Sequence, residues 1–184
     1  PSVKPYQPEG VWEAIAMNVS NTRAYQEDKG DSLYRRSMYW FWKRQAPPAS
    51  MDILNAPKRE FCVVRRERTD TPLQALVTLN DEQFVEAAKF LAQRTLKEAG
   101  ATFDQRIDFV SQRLLARSFR PEEHEIVHVS LVNLTTYYES HSDDAAKLLG
   151  VGDMRTDPVM NVPELAAWTM LTNELMNLDE VLNK

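Results

Sequence analysis

From residue 71 to residue 182, the sequence repeats one pattern: a capping residue, an apolar stripe with helical spacing, and a stop signal. The first instance begins at Thr71, a favourable cap, followed by Pro72, which loses no hydrogen bond at the first helical position. A longer helix is predicted over 82–98, and Gly100 is its expected end. This regularity limits the second part of the chain to helices.

The remaining predicted helices follow the same rule, with apolar residues recurring every three or four positions. Their starts are Asp104, Pro121, Ser142 and the capping pair Asn161 and Glu164, and the last helix is expected to reach residue 182. The sequence therefore predicts a mainly α fold, a multi-helix orthogonal bundle.

The first 70 residues lack this pattern. Residues 1–32 contain three prolines within the first eight positions, which predicts an extended strap, followed by a short helix over 11–19. Aromatic enrichment over 33–43 predicts a buried strand, and 61–64 a second short one. We thus expect one domain over 1–184, in which a small strand-and-loop insert (33–70) near the N-terminal side precedes the helical body (71–184).

Composition agrees with a globular fold, since 43% of the 184 residues are hydrophobic and 27% are charged. No apolar run approaches the ~18 to 20 residues of a membrane span. The chain begins at Pro1 instead of methionine, so we expect it to be a fragment of a longer protein.

Positive charge is concentrated over residues 35–68, where nine Lys or Arg face three acidic residues, in a chain of net charge −5. A basic segment with interleaved aromatics is typical of nucleic-acid binding. The alternative is neutralisation by acidic helices of the same domain through internal ion pairs. The pI of about 5.3 favours this second interpretation, so no nucleic-acid partner is expected.

Three arginines, Arg65, Arg66 and Arg68, are close enough in sequence to clamp a sulfate, phosphate or carboxylate. They could instead pair with neighbouring acids and fix the loop. The aromatic run around Trp40 and Trp42 could offer a sugar-stacking surface or form core. The candidate ligand-binding set is Arg35, Arg36, Trp40, Trp42, Arg65, Arg66 and Arg68.

The residues His124, Glu125 and His128 match the zinc-hydrolase motif H-E-x-x-H, in which two histidines share a helix face. A third ligand is the difficulty, because His141 lies about 20 Å further along the same predicted helix. We therefore assign no metal ligand and no catalytic residue, and keep a zinc-dependent hydrolase as the alternative function. The domain alone is not expected to be an enzyme.

Cys62 is the single cysteine, so the chain cannot form an internal disulfide. We expect it to be buried as a small apolar residue. The haem-attachment motif C-x-x-C-H does not occur, so no cofactor is expected in this domain.

Four separated blocks resemble one family. They are residues 2–13 (SVKPYQPEGVWE), 33–51 (LYRRSMYWFWKR, then APPASM), 55–88 (NAPKREFCVVRRERTDTPLQALVTLNDEQFVEAA) and 163–180 (PELAAWTMLTNELMNLDE). Together they resemble the C-terminal domain of large planctomycete-type secreted proteins, the domain of unknown function family 1553.

That resemblance implies a multidomain, exported protein of the periplasm or cell surface, of a kind that often carries a cytochrome c-like haem domain and a second uncharacterised domain upstream. It implies no reaction, and it suggests a role in polysaccharide handling. We expect an accessory helical module that docks other domains of its own chain, an anionic polysaccharide or a neighbouring exported protein.

Overall fold

The computed structural model describes residues 1–43, 47–65 and 67–183. These residues are mainly helical, which confirms the predicted fold class. The α-helices among them are α1 (Val11–Ile15), α2 (Ala49–Ile53), α3 (Pro72–Asn80), α4 (Glu82–Glu98), α5 (Phe103–Leu114), α6 (Pro121–Ser140), α7 (Ser142–Leu149), α8 (Val162–Met176) and α9 (Asp179–Leu182). None of them combines the length and apolar character that a bilayer crossing requires.

The chain divides into two compact units, unit 1 over Pro1–Val77 and unit 2 over Thr78–Lys184. The division falls inside α3, close to the predicted start of the helical body at residue 71. That residues 1–184 act as a single domain stays a prediction.

Unit 2 is a helical bundle built around α8, against which α4, α6 and α7 pack. Helix α8 is buried over most of its surface, because apolar and small residues occupy nearly its whole circumference, with Glu174 as an exposed exception. Its largest buried side chains include Leu165, Trp168 and Leu171, which join Ile107 and Val110 of α5 in one core cluster. The predicted last helix is interrupted, since α8 ends at Met176 before α9.

Helix starts in the structure agree with the caps that the sequence predicts in most places. The Asn161 side chain accepts a hydrogen bond from the Glu164 amide (2.9 Å). Thr71 and Gln74 exchange two such bonds, of 3.1 and 3.2 Å, at the start of α3. Helix α5 differs, because Thr102, not Asp104, is its cap and forms a reciprocal capping box with Gln105. Helix α7 differs too, because Ser142 is its first residue and His141 occupies the cap position without a side-chain cap bond.

Unit 1 is organised around two small clusters, each centred on a tryptophan side chain. Trp12 packs 5.0 Å from the Tyr25 ring and 5.8 Å from Phe41, and its indole N–H donates to a backbone carbonyl. Trp40 forms a second small cluster with Val3 and Met51. Helix α1 is shorter than predicted because it ends at Ile15, and Val19 is 93% exposed.

The strand predicted over 33–43 is wrong. The described residues instead form two 3₁₀ turns, Gly30–Tyr34 and Ser37–Tyr39, and isolated bridge residues, of which Trp40 pairs with Val3. A strand needs a partner with consecutive donors, whereas the strap beside it contains Pro5, which has no N–H. Pairing therefore ends after two hydrogen bonds at Val3, and residues 61–64 form no ladder either.

Candidate functional site

The first candidate site lies in unit 1 over residues 58–68, here called the basic segment. Each of its described residues is exposed. Arg59 anchors it, because its guanidinium lies 4.9 Å from the Trp42 ring centre and donates to the Ser37 carbonyl oxygen (3.3 Å). Arg59 also has a positive φ of 61°, a left-handed conformation that costs ~1 kcal/mol or more for a non-glycine residue. The anchor places the segment beside residues 37–42.

Arg65 and Arg68 extend into solvent. In the described part of unit 1, neither has a carboxylate within ion-pair distance, whereas Lys58 lies 3.9 Å from Asp52. The prediction that internal ion pairs neutralise these arginines is therefore not met there. Arg66 lies outside the described residues.

Arg35 and Arg36 are both exposed, as a binding role requires. The Arg35 guanidinium lies 5.4 Å from the Tyr39 ring centre, a cation–π contact that leaves its N–H groups available. Tyr39 is itself 46% exposed. This pair thus presents a cation and an aromatic face on the same surface.

The two tryptophans of the predicted site lie deeper than expected. Trp40 is only 7% exposed, packs on Val3, and donates from its indole nitrogen to the Arg35 carbonyl oxygen (3.1 Å). Of the two interpretations of the aromatic run, Trp40 fits the core one, because its ring is buried and offers no stacking surface. Trp42 is half-buried beneath the Arg59 guanidinium, so it orients that cation.

Cys62 is exposed in the middle of the basic segment, so its predicted burial is also wrong. Burial would need an apolar neighbourhood, but its neighbours are exposed too. Phe61 is 67% exposed and Val64 is fully exposed. The segment therefore combines cations with unpacked apolar side chains.

The family is decided by the comparison with known families. The model described as PSD1, Protein of unknown function (DUF1553), matches residues 1–131, more than two thirds of the chain. The chain belongs to this family. The match contains the whole basic segment, whereas the resemblance block at 163–180 lies beyond it. No curated protein and no solved structure matches the chain.

In this DUF1553 chain, the H-E-x-x-H residues lie on α6 next to Phe103. The Phe103 ring lies 5.1 Å from the His124 ring and 4.8 Å from the His128 ring. His124 Nε2 lies 3.1 Å from an Asp104 carboxylate oxygen. Among residues 1–43, 47–65 and 67–183, no three His, Cys, Asp or Glu side chains converge as metal ligands. Within this described part of the chain, the geometry gives a zinc hydrolase no third ligand.

A second candidate site, which sequence reasoning missed, is a groove of about 570 Å³ between α6, α8 and α9, here called the acidic groove. Its floor is apolar and includes Ile126, Leu171 and Leu178. Arg117 closes one end, where its guanidinium bonds the carboxylates of Glu123 and Glu180 at 2.8 Å each. The spacing of residues along the sequence gave no signal for the acidic groove, because its lining residues come from three separate helices.

Electrostatics of the DUF1553 groove follow from that Arg117 cluster. Hydrogen bonds to Glu180 and then Glu123 raise the pKa of Arg117 above its usual range. The reciprocal bonds from Arg117 and from the Arg120 amide lower the pKa of Glu123 to about 2. On the rim, Glu174 accepts a hydrogen bond from Ser130 (3.0 Å). The described residues place no cation within ion-pair distance of Glu174.

Buried charge in unit 2 is the other feature that the sequence did not reveal. Lys89 is 1% exposed on α4, and it donates to the backbone carbonyls of Leu149, Val151 and Met154. Glu86, one helical turn earlier, is equally buried and accepts from the Met154 amide (2.9 Å). This arrangement fixes the loop that follows α7.

Proposed function

We propose that this DUF1553 domain is a non-catalytic binding module whose basic segment holds a sulfated polysaccharide. One observation carries the proposal: Arg65 and Arg68 are exposed and, among the described residues, no carboxylate lies within ion-pair distance of them. The chain as a whole has a net charge of −5, so this local excess of positive charge opposes the general trend.

The chemistry of the segment suits sulfate esters. A guanidinium donates two parallel N–H groups, which match two oxygens of a sulfate group. An arginine without a carboxylate partner has no internal ion pair to break when a ligand binds. Arg35 above the exposed Tyr39 ring adds a further cation and an aromatic face on which a sugar ring packs.

The setting of the module follows from the family resemblance. In this proposal it belongs to an exported multidomain protein, any haem is held by a separate upstream domain, and other domains of the same chain are further partners. Among the described residues no third ligand joins His124 and His128, so the zinc hydrolase is not proposed.

The test is binding of the folded domain to immobilised dextran sulfate, with uncharged dextran as the reference. The variant Arg65→Ala/Arg68→Ala removes two exposed guanidiniums and should weaken binding by about tenfold or more, the range of two charge-assisted hydrogen bonds. The matched control is Arg94→Ala/Arg120→Ala, two exposed arginines on unit 2 that pair with Glu98 and Glu123.

The control variant removes the same charge and should bind dextran sulfate as the unmodified domain does. Equal losses in both variants would mean that net charge alone governs binding. An unmodified domain that does not bind dextran sulfate would overturn the proposal. If the domain instead binds only an immobilised acidic protein, the segment would be assigned to protein docking.

A further inference from the structure

The acidic groove presents a surface that nothing in the described part of unit 2 covers. Ile126 is 69% exposed on its floor, and Leu178 is 39% exposed at its side. Exposed apolar side chains gathered in one concave surface are typical of a docking site. The groove therefore calls for an occupant with apolar side chains of its own.

The charged side chains that line the groove narrow the choice of occupant further. Four carboxylates and one guanidinium line the groove, those of Glu123, Glu174, Asp179, Glu180 and Arg117. Arg117 is already bonded to Glu123 and Glu180, so Glu174 and Asp179 are the acids left to face a ligand. Complementarity thus requires cations that flank the apolar side chains of the occupant.

The basic segment has this composition. Phe61 and Val64 are exposed, and they lie between the cations Arg59 and Arg65. Residues 58–68 carry five Lys or Arg against two acids, the opposite excess to that of the groove. Each chain thus carries a basic apolar segment on unit 1 and an acidic apolar groove on unit 2.

We propose that the acidic groove binds the basic segment of a second copy of this chain, so that the domain self-associates through complementary surfaces. Such an interface joins two different patches, and each chain supplies one of each. Its attraction is electrostatic in part, so it weakens as salt screens the rim charges. This goes beyond polysaccharide binding, because it requires the groove, although both use the basic segment.

The experiment is sedimentation velocity of the whole domain over a range of protein and salt concentrations. The groove variant is Ile126→Ser/Glu174→Lys, which changes two exposed residues and should weaken association by about tenfold or more. The matched control is Val132→Ser/Glu139→Lys, which makes the same kind of change on exposed positions of α6 beyond the groove. It should associate like the unmodified chain.

A mixture of two variants gives the decisive test of the proposed pairing. The segment variant Val64→Asp/Arg65→Glu has an intact groove, and the groove variant has an intact segment. Each alone should be monomeric, whereas an equimolar mixture should form a one-to-one dimer through the single intact pairing. An unmodified chain that stays monomeric at low salt, or a mixture that does not dimerise, would overturn the proposal.

The self-association proposal and the polysaccharide proposal can be tested independently. The groove variant should lose association but still bind dextran sulfate as the unmodified domain does. Circular dichroism of each variant shows whether its helices are intact. A groove variant that remains helical and still associates would also overturn the proposal.

Discussion

Lys89 is a fully buried cation in the interior of unit 2. Its ammonium group satisfies three backbone carbonyls that follow α7, and Glu86 holds the Met154 amide beside them. Desolvation lowers the pKa of Lys89, while Glu86 and Glu82 oppose that shift. A buried ammonium is tolerated here because each of its N–H groups has an acceptor.

Replacing Lys89 with Met should destabilise the domain by about 3 kcal/mol or more, because buried carbonyls and the Glu86 carboxylate lose their cation. The free energy of unfolding in urea measures this effect. Lys97→Met is the control, since Lys97 pairs with Asp157 at the surface, and such pairs contribute about 0 to 1 kcal/mol. Similar losses in both variants would contradict the role given to Lys89.

Glu123 gives a pH dependence whose sign follows from its pKa, which is lowered to about 2 from 4.5. Its interactions stabilise the fold fully above pH 4.5, and they are lost as the pH falls from 4.5 towards 2. Thermal unfolding across this window should therefore show a smaller drop in Tm for Glu123→Gln than for the unmodified chain.

The neighbouring variant Glu122→Gln is the control for this effect, because Glu122 is exposed and takes no part in the Arg117 cluster. It should follow the unmodified chain at every pH. An identical acid response of Glu123→Gln and the unmodified chain would show that the Arg117 cluster does not stabilise the fold.

The loop after α7 is the element that Lys89 fixes, and Gly152 is its tightest point. Its φ is +89°, and a Cβ there would meet the buried Glu86 carboxylate. Gly152→Ala should therefore cost more than the ~1 kcal/mol of an unfavourable backbone conformation alone. Gly10→Ala is the control, since Gly10 has a φ of +77° and open space around it.

Urea unfolding of the two glycine variants measures the difference between them. The larger loss should belong to Gly152→Ala, since only there does the added methyl group also press on a side chain. Equal losses would mean that the Glu86 contact contributes nothing.

Most elements fixed by local interactions could be predicted from the sequence, although the equally local Thr102–Gln105 capping box was missed, and those that depend on distant partners could not. The Asn161 cap and the Thr71–Gln74 exchange lie within one helical turn, so the sequence contains them whole. The strand over 33–43 required a partner, and the strap supplied only the Val3 bridge. Burial of Lys89 depends on residues 149–154, some sixty positions away.

At the scale of the whole molecule, the sequence showed that positive charge is concentrated in one segment. It did not show how the charged and aromatic side chains are arranged in space. Counting residues located the basic segment, and the structure shows that Arg65 and Arg68 are exposed. The same count could not reveal that Trp40 belongs to the core, nor that α6, α8 and α9 enclose an acidic groove. Both require packing between elements, which hydrophobic periodicity does not encode.

The central claim, that the basic segment is the ligand-binding surface, is tested most directly by an amide NMR titration of the domain with a sulfated oligosaccharide. At a protein concentration at which the chain is monomeric, we predict shift changes over residues 58–68 and around Arg35 and Tyr39, with the amides of α6 and α8 unchanged. These shift changes should become smaller at higher salt, since the contacts are ionic. Shift changes centred on unit 2, or none at saturating oligosaccharide, would contradict the account.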